Sequence, residues 1–263
     1  MLRARVITAL VAAIIASAAI FLLPLFWVAC FFALVAALAA YEWAGLLGVR
    51  SLPNRLLATL VVVGLAAFTW YYDAWFNYSL ALGIGAWLLA TVIVIAYPNG
   101  AWFIGMPWLA GVLGVAILWS AWSALVMIHA EPGGHGASWV FWVLFMVACA
   151  DIGAYFTGRR FGKTKLAPLV SPGKTWEGVA GGACTAVVIC GGSLVLLGYS
   201  PVWLFYVLLL VGISVVGDLF ESVLKRERGV KDSGNLLPGH GGILDRIDAA
   251  LAVLPLFAVL LLR

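Results

Sequence analysis

Long apolar runs recur from one end of this chain to the other, and that feature decides what it can fold into before any motif is weighed. A helix needs roughly 20 residues at about 1.5 Å each to cross a hydrocarbon core of about 30 Å with its backbone N–H and C=O groups paired internally. With 65% hydrophobic and only 10% charged residues over 263 positions, and a mean hydropathy of +1.12, a water-soluble domain is excluded, since about a quarter of residues carry charge there. The expected fold class is all-α, a polytopic bundle of membrane-spanning helices.

Nine spans are read, near residues 6 to 22, 25 to 47, 55 to 72, 78 to 97, 107 to 130, 137 to 157, 178 to 198, 201 to 224 and 243 to 262. Only Pro24 interrupts the apolar stretch from Val6 to Ala40, so the first two spans also admit one kinked helix with an interfacial piece. Residues 1 to 22 lack the small-residue cleavage pattern of a removable signal and read as a retained span. With nine spans, Arg3, Arg5, Arg50, Arg55 and the basic clusters after spans six and eight share one side, leaving only Arg263 opposite. Lys and Arg mark the cytoplasmic side, so the N-terminus is expected in the cytoplasm and the C-terminus outside.

Cys30, Cys149, Cys184 and Cys190 fall inside spans without CxxC spacing and read as packing residues. The net charge of +4 says little. Because the basic residues lie in two loops against a membrane and are mixed with acids, no nucleic-acid partner is expected.

The charges are unevenly placed. Of the 26 Lys, Arg, Asp and Glu residues, 19 lie from Asp151 onward, so residues 1–150 read as a transmembrane scaffold and 151–263 as the part that carries chemistry. The first polar segment runs from Asp151 through Arg159, Arg160, Lys163 and Lys165 to Ser171-Pro172-Gly173-Lys174-Thr175-Trp176-Glu177-Gly178. Its Gly-Lys-Thr is not a P-loop, because Pro168 stands where the Walker spacing requires glycine. What remains is a basic loop leading into a helix whose N-terminus suits phosphate; the plain alternative is a loop that only fixes topology. Gly178 and Gly182 form a Gly-x-x-x-Gly pattern that reads as close helix packing.

The second segment ends span eight with Gly217-Asp218-Leu219-Phe220-Glu221-Ser222-Val223-Leu224-Lys225-Arg226. At helical spacing Asp218, Glu221 or Ser222, and Lys225 share a face. The loop continues through Lys231 and Asp232 to His240-Gly241-Gly242, and the last span opens with Asp245, Arg246 and Asp248. Snorkelling anchors and a helix-dipole acid account for some of these. Each intramembrane carboxylate costs about 2.5–3.5 kcal/mol on insertion scales, however, so Asp151, Asp218 and Asp248 together require cations or a metal. Mg²⁺ takes carboxylate oxygens together with substrate phosphates. His240 reads equally as a general base or a structural loop residue, while Gly241 and Gly242 let backbone N–H groups approach a pyrophosphate.

Ser222-x-Leu224-Lys225-Arg226, four residues, then Lys231-Asp232-x-Gly234-x-x-Leu237-Pro238-x-His240-Gly241-Gly242-Ile243-x-Asp245-Arg246-Ile247-Asp248 closely resembles the signature of the phosphatidate cytidylyltransferase (CDP-diacylglycerol synthase) family. The Asp151-x-Gly153-Ala154-Tyr155-Phe156 and Ser171–Gly178 runs resemble its second common block, and the length and span number are similar to bacterial members. The resemblance covers residues 151 to 248; the first 150 match in hydropathy alone. It implies a multi-pass enzyme of a bacterial inner membrane that joins CTP to phosphatidic acid at the cytoplasmic side, releasing pyrophosphate. By position, Asp218 and Asp245 are implied as ligands of Mg²⁺, with room for a second cation, and Asp248 stands beside them. Lys225, Arg226 and Lys231 would neutralise phosphates. Ser171, Lys174 and Thr175 would hold the nucleotide or lipid headgroup, and Ser222, His240, Gly241, Gly242 and Arg246 belong with the substrate-binding set. Membrane lipid is a further expected partner, and a homodimer is left open. Two other readings stand: a CTP-dependent lipid kinase, which would release CDP, and a transporter whose charges line an ion path.

Overall fold

Helix boundaries fall where the sequence supplies breakers. The computed structural model describes residues 2–234, 236 and 241–262. Its N-terminal helices are α1 (Leu2–Leu22), α2 (Leu25–Leu46), α3 (Leu52–Tyr71) and α4 (Ala74–Ile95). Pro24 lies between the first two as the residue that caps α2, so they are separate helices, not one kinked rod. Ser51 caps α3, accepting from the Asn54 N–H at 3.4 Å, with Pro53 in the first turn. A short helix α5 (Trp102–Gly105) leads into α6 (Pro107–His129) and α7 (Gly136–Phe161). A two-stranded antiparallel hairpin, β1 (Lys165–Ala167) and β2 (Ser171–Thr175), follows. Then come α8 (Trp176–Ala186), α9 (Gly192–Leu196), α10 (Val202–Glu227) and α11 (Leu244–Leu261). One wider helical turn, Val187–Gly191, joins α8 to α9, and the two act as a single rod, Trp176–Leu196.

Seven rods among the described residues are long and apolar enough to cross a membrane: α2, α3, α4, α6, α7, α8–α9 and α10. The fold is that of an all-α polytopic membrane protein, with the hairpin as a small addition where only loop was expected. The two other expected spans coincide with α1, whose apolar stretch among the described residues is Leu10–Leu22, and with α11. In α11 three of the first five residues, Asp245, Arg246 and Asp248, are charged, while Ala249 and Leu251–Pro255 are buried. A helix this enclosed is part of the bundle interior.

At the centre stands α6, mostly buried along its length, whereas α3 is peripheral and largely exposed. Tryptophans lock its neighbours together by giving their indole N–H groups to carbonyls left accessible between helices. Trp43 donates to Ala110 O at 3.1 Å, Trp122 to Ala29 O at 2.9 Å, and Trp87 to Leu251 O at 3.1 Å. One hydrophobic cluster runs from Ile20 to Ala258 through both halves of the chain, so the N-terminal helices pack directly around α11.

Two close antiparallel pairs position the polar residues. The α7–α8 seam is lined by glycine on both sides: a Cβ at Gly182 would meet Ala150 O at 2.6 Å, and one at Gly178 would meet Ala154 O at 3.1 Å. The Gly-x-x-x-Gly pattern is a packing device here, as its spacing suggested. The α10–α11 pair is brought equally close by Gly217, whose Cβ would meet Asp248 O at 2.6 Å. The acidic ends of both helices therefore lie side by side.

Candidate active site

The hairpin aims one lysine. Thr175 ends β2 in extended conformation and caps α8, its hydroxyl accepting the Gly178 N–H at 3.1 Å. Glu177, in the first turn as expected, accepts the Thr164 N–H at 3.1 and 3.2 Å and fastens α8 to the segment entering β1. The register pairs Lys165 with Thr175 and Ala167 with Ser171, and Lys174 reaches across to an ion pair with Asp218 on α10. Around that pair lies a cavity of about 420 Å³, lined by Asp151 and Arg159 of α7, Gly173 and Lys174 of β2, and Ser214 and Asp218 of α10. Lysine and aspartate are 25% and 36% exposed, so the pair is accessible from that cavity. Thr175 lines the same cavity; it is buried, and its hydroxyl accepts the Gly178 N–H of the cap.

A second network lies one to two turns further along α10. Lys225, at 14% exposure, bridges Glu221 on its own helix and Asp245 Oδ1 on α11, the latter at 2.7 Å. It is thus a partly buried clamp more than a snorkelling anchor. Asp245 Oδ2 accepts from the Ser233 N–H at 3.0 Å and the Gly242 N–H at 2.8 Å, with Ser233 Oγ also at 3.0 Å. Asp245 thus has one donor on Oδ1 and three on Oδ2, so the expected metal ligand already holds a set of protein partners. Gly242, expected to offer its N–H to a pyrophosphate, gives it to Asp245 instead. Gly241 has φ +82° and a Cβ there would meet Asp245 Oδ2 at 2.9 Å, so the turn needs glycine.

Glu42 on α2 completes this network, and sequence reasoning passed it over. It is 3% exposed; its Oε2 accepts the Leu244 N–H at 2.9 Å and lies 3.2 Å from Ser233 Oγ. The signal was present, because a carboxylate inside an apolar helix carries the same insertion cost that flagged Asp151. Among the described residues, two buried carboxylate oxygens, Glu42 Oε1 and Glu221 Oε1, find no hydrogen-bond partner.

Asp248 lies between the two networks, within electrostatic reach of Asp218, Lys174 and Asp151 on one side and of Glu221 on the other. Asp151, Asp218, Asp248, Glu221 and Asp245 therefore share a continuous polar zone in which, among the described residues, Lys174 is ion-paired to Asp218 and Lys225 to Glu221 and Asp245. Partly buried carboxylates in such excess call for further positive charge. Among the described residues no three His, Cys, Asp or Glu side chains converge into a complete metal cage. Mg²⁺ needs none, since one or two carboxylates plus substrate phosphates suffice, and the hard-oxygen donors with two unpartnered oxygens suit such an ion.

The remaining expected residues are more scattered. Arg226 donates from Nε to Val170 O at 3.0 Å, tying the hairpin to α10. Ser171 and Ser222 are half-buried, and Lys231 and Arg246 are exposed. His240 lies outside the described residues.

The model of a family described as the cytidylyltransferase family matches residues 3–262. The chain is 43% identical to a phosphatidate cytidylyltransferase of Pseudomonas aeruginosa, over 99% of this chain and 97% of that one. It is 38% identical to a protein of the same name from Haemophilus influenzae, over 98% of each chain.

Proposed function

Because this chain belongs to the cytidylyltransferase family, we propose that it is a phosphatidate cytidylyltransferase, moving the cytidylyl group of CTP onto phosphatidic acid to give CDP-diacylglycerol and pyrophosphate. The observation that carries the proposal is identity of 43% along 99% of the chain with a protein of that name. A phosphate oxygen of phosphatidic acid attacks the α-phosphorus of CTP, forming the new P–O bond as the bond to pyrophosphate breaks. Transfers of this type depend on positioning and charge neutralisation more than on covalent catalysis.

Lys174 and Arg159 line the cavity beside Asp218, where Lys174 can exchange its carboxylate for a phosphate oxygen. Asp218 would hold Mg²⁺, and Asp245 would offer Oδ1 to the ion if Lys225 turned from it to a substrate phosphate; Asp151 and Asp248 complete the negative lining. When bound, the ion offsets charge developing on the α-phosphate and the leaving pyrophosphate. Lys225 and Lys231 are the further phosphate-neutralising cations in this reading, and Arg226 positions the hairpin. Ser171, Ser222 and Arg246 are assigned to the rim of the substrate site. The protein purified in detergent should release pyrophosphate, not CDP, from CTP and phosphatidic acid, and excess chelator should stop the reaction. Release of CDP would instead mark γ-phosphoryl transfer to a lipid alcohol.

The same reading counts nine crossings, adding α1 and α11, in a bacterial inner membrane. The N-terminus and the loops bearing the hairpin and residues 228–243 then face the cytoplasm, where CTP is. Single cysteines at Lys163 or Lys231, in a background lacking the four native ones, should resist an impermeant thiol reagent added outside intact cells. Labelling from outside would invert this topology.

A further inference from the structure

On the far side of α8 and α10 from Asp151 lies a second cavity, of about 490 Å³, roofed by the hairpin and walled by the end of α4. Its lining includes Thr91, Leu169, Trp176, Gly212 and Val216 and no charged side chain. Val179 and Val215 line both this groove and the cavity holding the Lys174–Asp218 pair, so the apolar and polar spaces meet at those two side chains. We propose that this groove is the subsite for an acyl chain of the phosphatidic acid substrate, seated while its phosphate lies in the adjoining polar cavity.

Three observations select that occupant. A charged cavity adjoining an uncharged one matches an amphiphile, and neither CTP nor pyrophosphate has an apolar part that needs the second space. The volume falls within the roughly 300–1,000 Å³ of ligand pockets. The third is Gly212 in α10, on the wall of the groove. Gly178 and Gly182 of the α7–α8 seam and Gly217 each have a backbone atom within about 3 Å of where a Cβ would stand, whereas a Cβ at Gly212 meets nothing within 4 Å. No helix contact requires a glycine there; its missing side chain keeps the groove open. At the mouth, Leu169 and Trp176 are 65% and 57% exposed, and the Arg226 bond to Val170 O holds the hairpin over the groove.

The inference rests on the lipid substrate proposed above. Its test fills the groove from Gly212, which has room for a side chain, and compares dioleoyl with dihexanoyl phosphatidic acid in detergent. For Gly212→Leu the KM for the dioleoyl substrate should rise on the order of tenfold, with kcat, the KM for CTP and use of the dihexanoyl substrate unchanged. Gly212→Ala should shift in the same direction by less. Val216→Phe, which enters the groove one turn on, provides the same comparison should the leucine variant fail to reach the membrane. Equal effects on both substrates, or none, would assign the groove to bulk lipid or to packing and overturn the inference while leaving the reaction intact. A parent protein that makes no CDP-diacylglycerol from either substrate would instead remove the underlying reading.

Discussion

Asp218→Asn is expected to lower turnover by about 10³-fold while the protein still inserts and folds. The side chain is nearly isosteric, and the ion pair it gives up with Lys174 joins groups 36% and 25% exposed, so the structural loss is about 1 kcal/mol or less. What disappears is the negative charge at the centre of the polar cavity, the one that would hold Mg²⁺ beside the nucleotide and that now orients Lys174. Unlike Asp245, whose oxygens are occupied by Lys225, Ser233 and Gly242, Asp218 has coordination to spare. The check is kcat across a Mg²⁺ titration, on variant protein with a parent-like melting temperature. Near-parent turnover would reduce Asp218 to a partner for Lys174.

Lys225→Met should act differently, by destabilising the fold. Lys225 neutralises Glu221 and Asp245, whose side chains are 4% and 6% exposed. Removing it leaves two enclosed carboxylates without their shared cation, a change that costs about 3–5 kcal/mol. Asp245 in turn anchors Ser233 and Gly242, so the loop between α10 and α11 should loosen as well. Insertion, governed by the hydropathy of α10, should be unaffected, while the melting temperature in detergent falls together with activity. Adding Glu221→Gln to the methionine variant deletes one of the two uncompensated charges and should restore part of the stability. A methionine variant that melts with the parent would show that the lysine is not the bridge holding these helices.

How far the sequence was legible depends on the kind of interaction. The helical rods follow from hydropathy, because a bilayer admits few alternatives for an apolar segment of that length. Pro24 and the Gly178–Gly182 seam sit where their residue types implied a break and a close approach, while the Ser51 and Thr175 caps are equally local devices that the sequence reading did not single out. The hairpin at 165–175 has no such signal: its strands are short, carry Pro172 and Gly173, and exist because Glu177 and Arg226 tie them down. In the polar zone the grouping of Asp218, Glu221 and Lys225 was readable from helical spacing. Their partners were not, since the Lys174–Asp218 pair, and Glu42 reaching Leu244 across 202 positions of sequence, depend on tertiary packing that no local pattern encodes.

The central claim is that the α-phosphorus of CTP ends on the lipid. The most direct measurement follows the purified protein with phosphatidic acid, Mg²⁺ and CTP labelled at either the α- or the γ-phosphate, the lipid then being extracted and counted. The account predicts that α-label enters the lipid as CDP-diacylglycerol, one for each pyrophosphate released, and that γ-label stays in water. Entry of γ-label into lipid, or release of pyrophosphate with no labelled lipid formed, would contradict it.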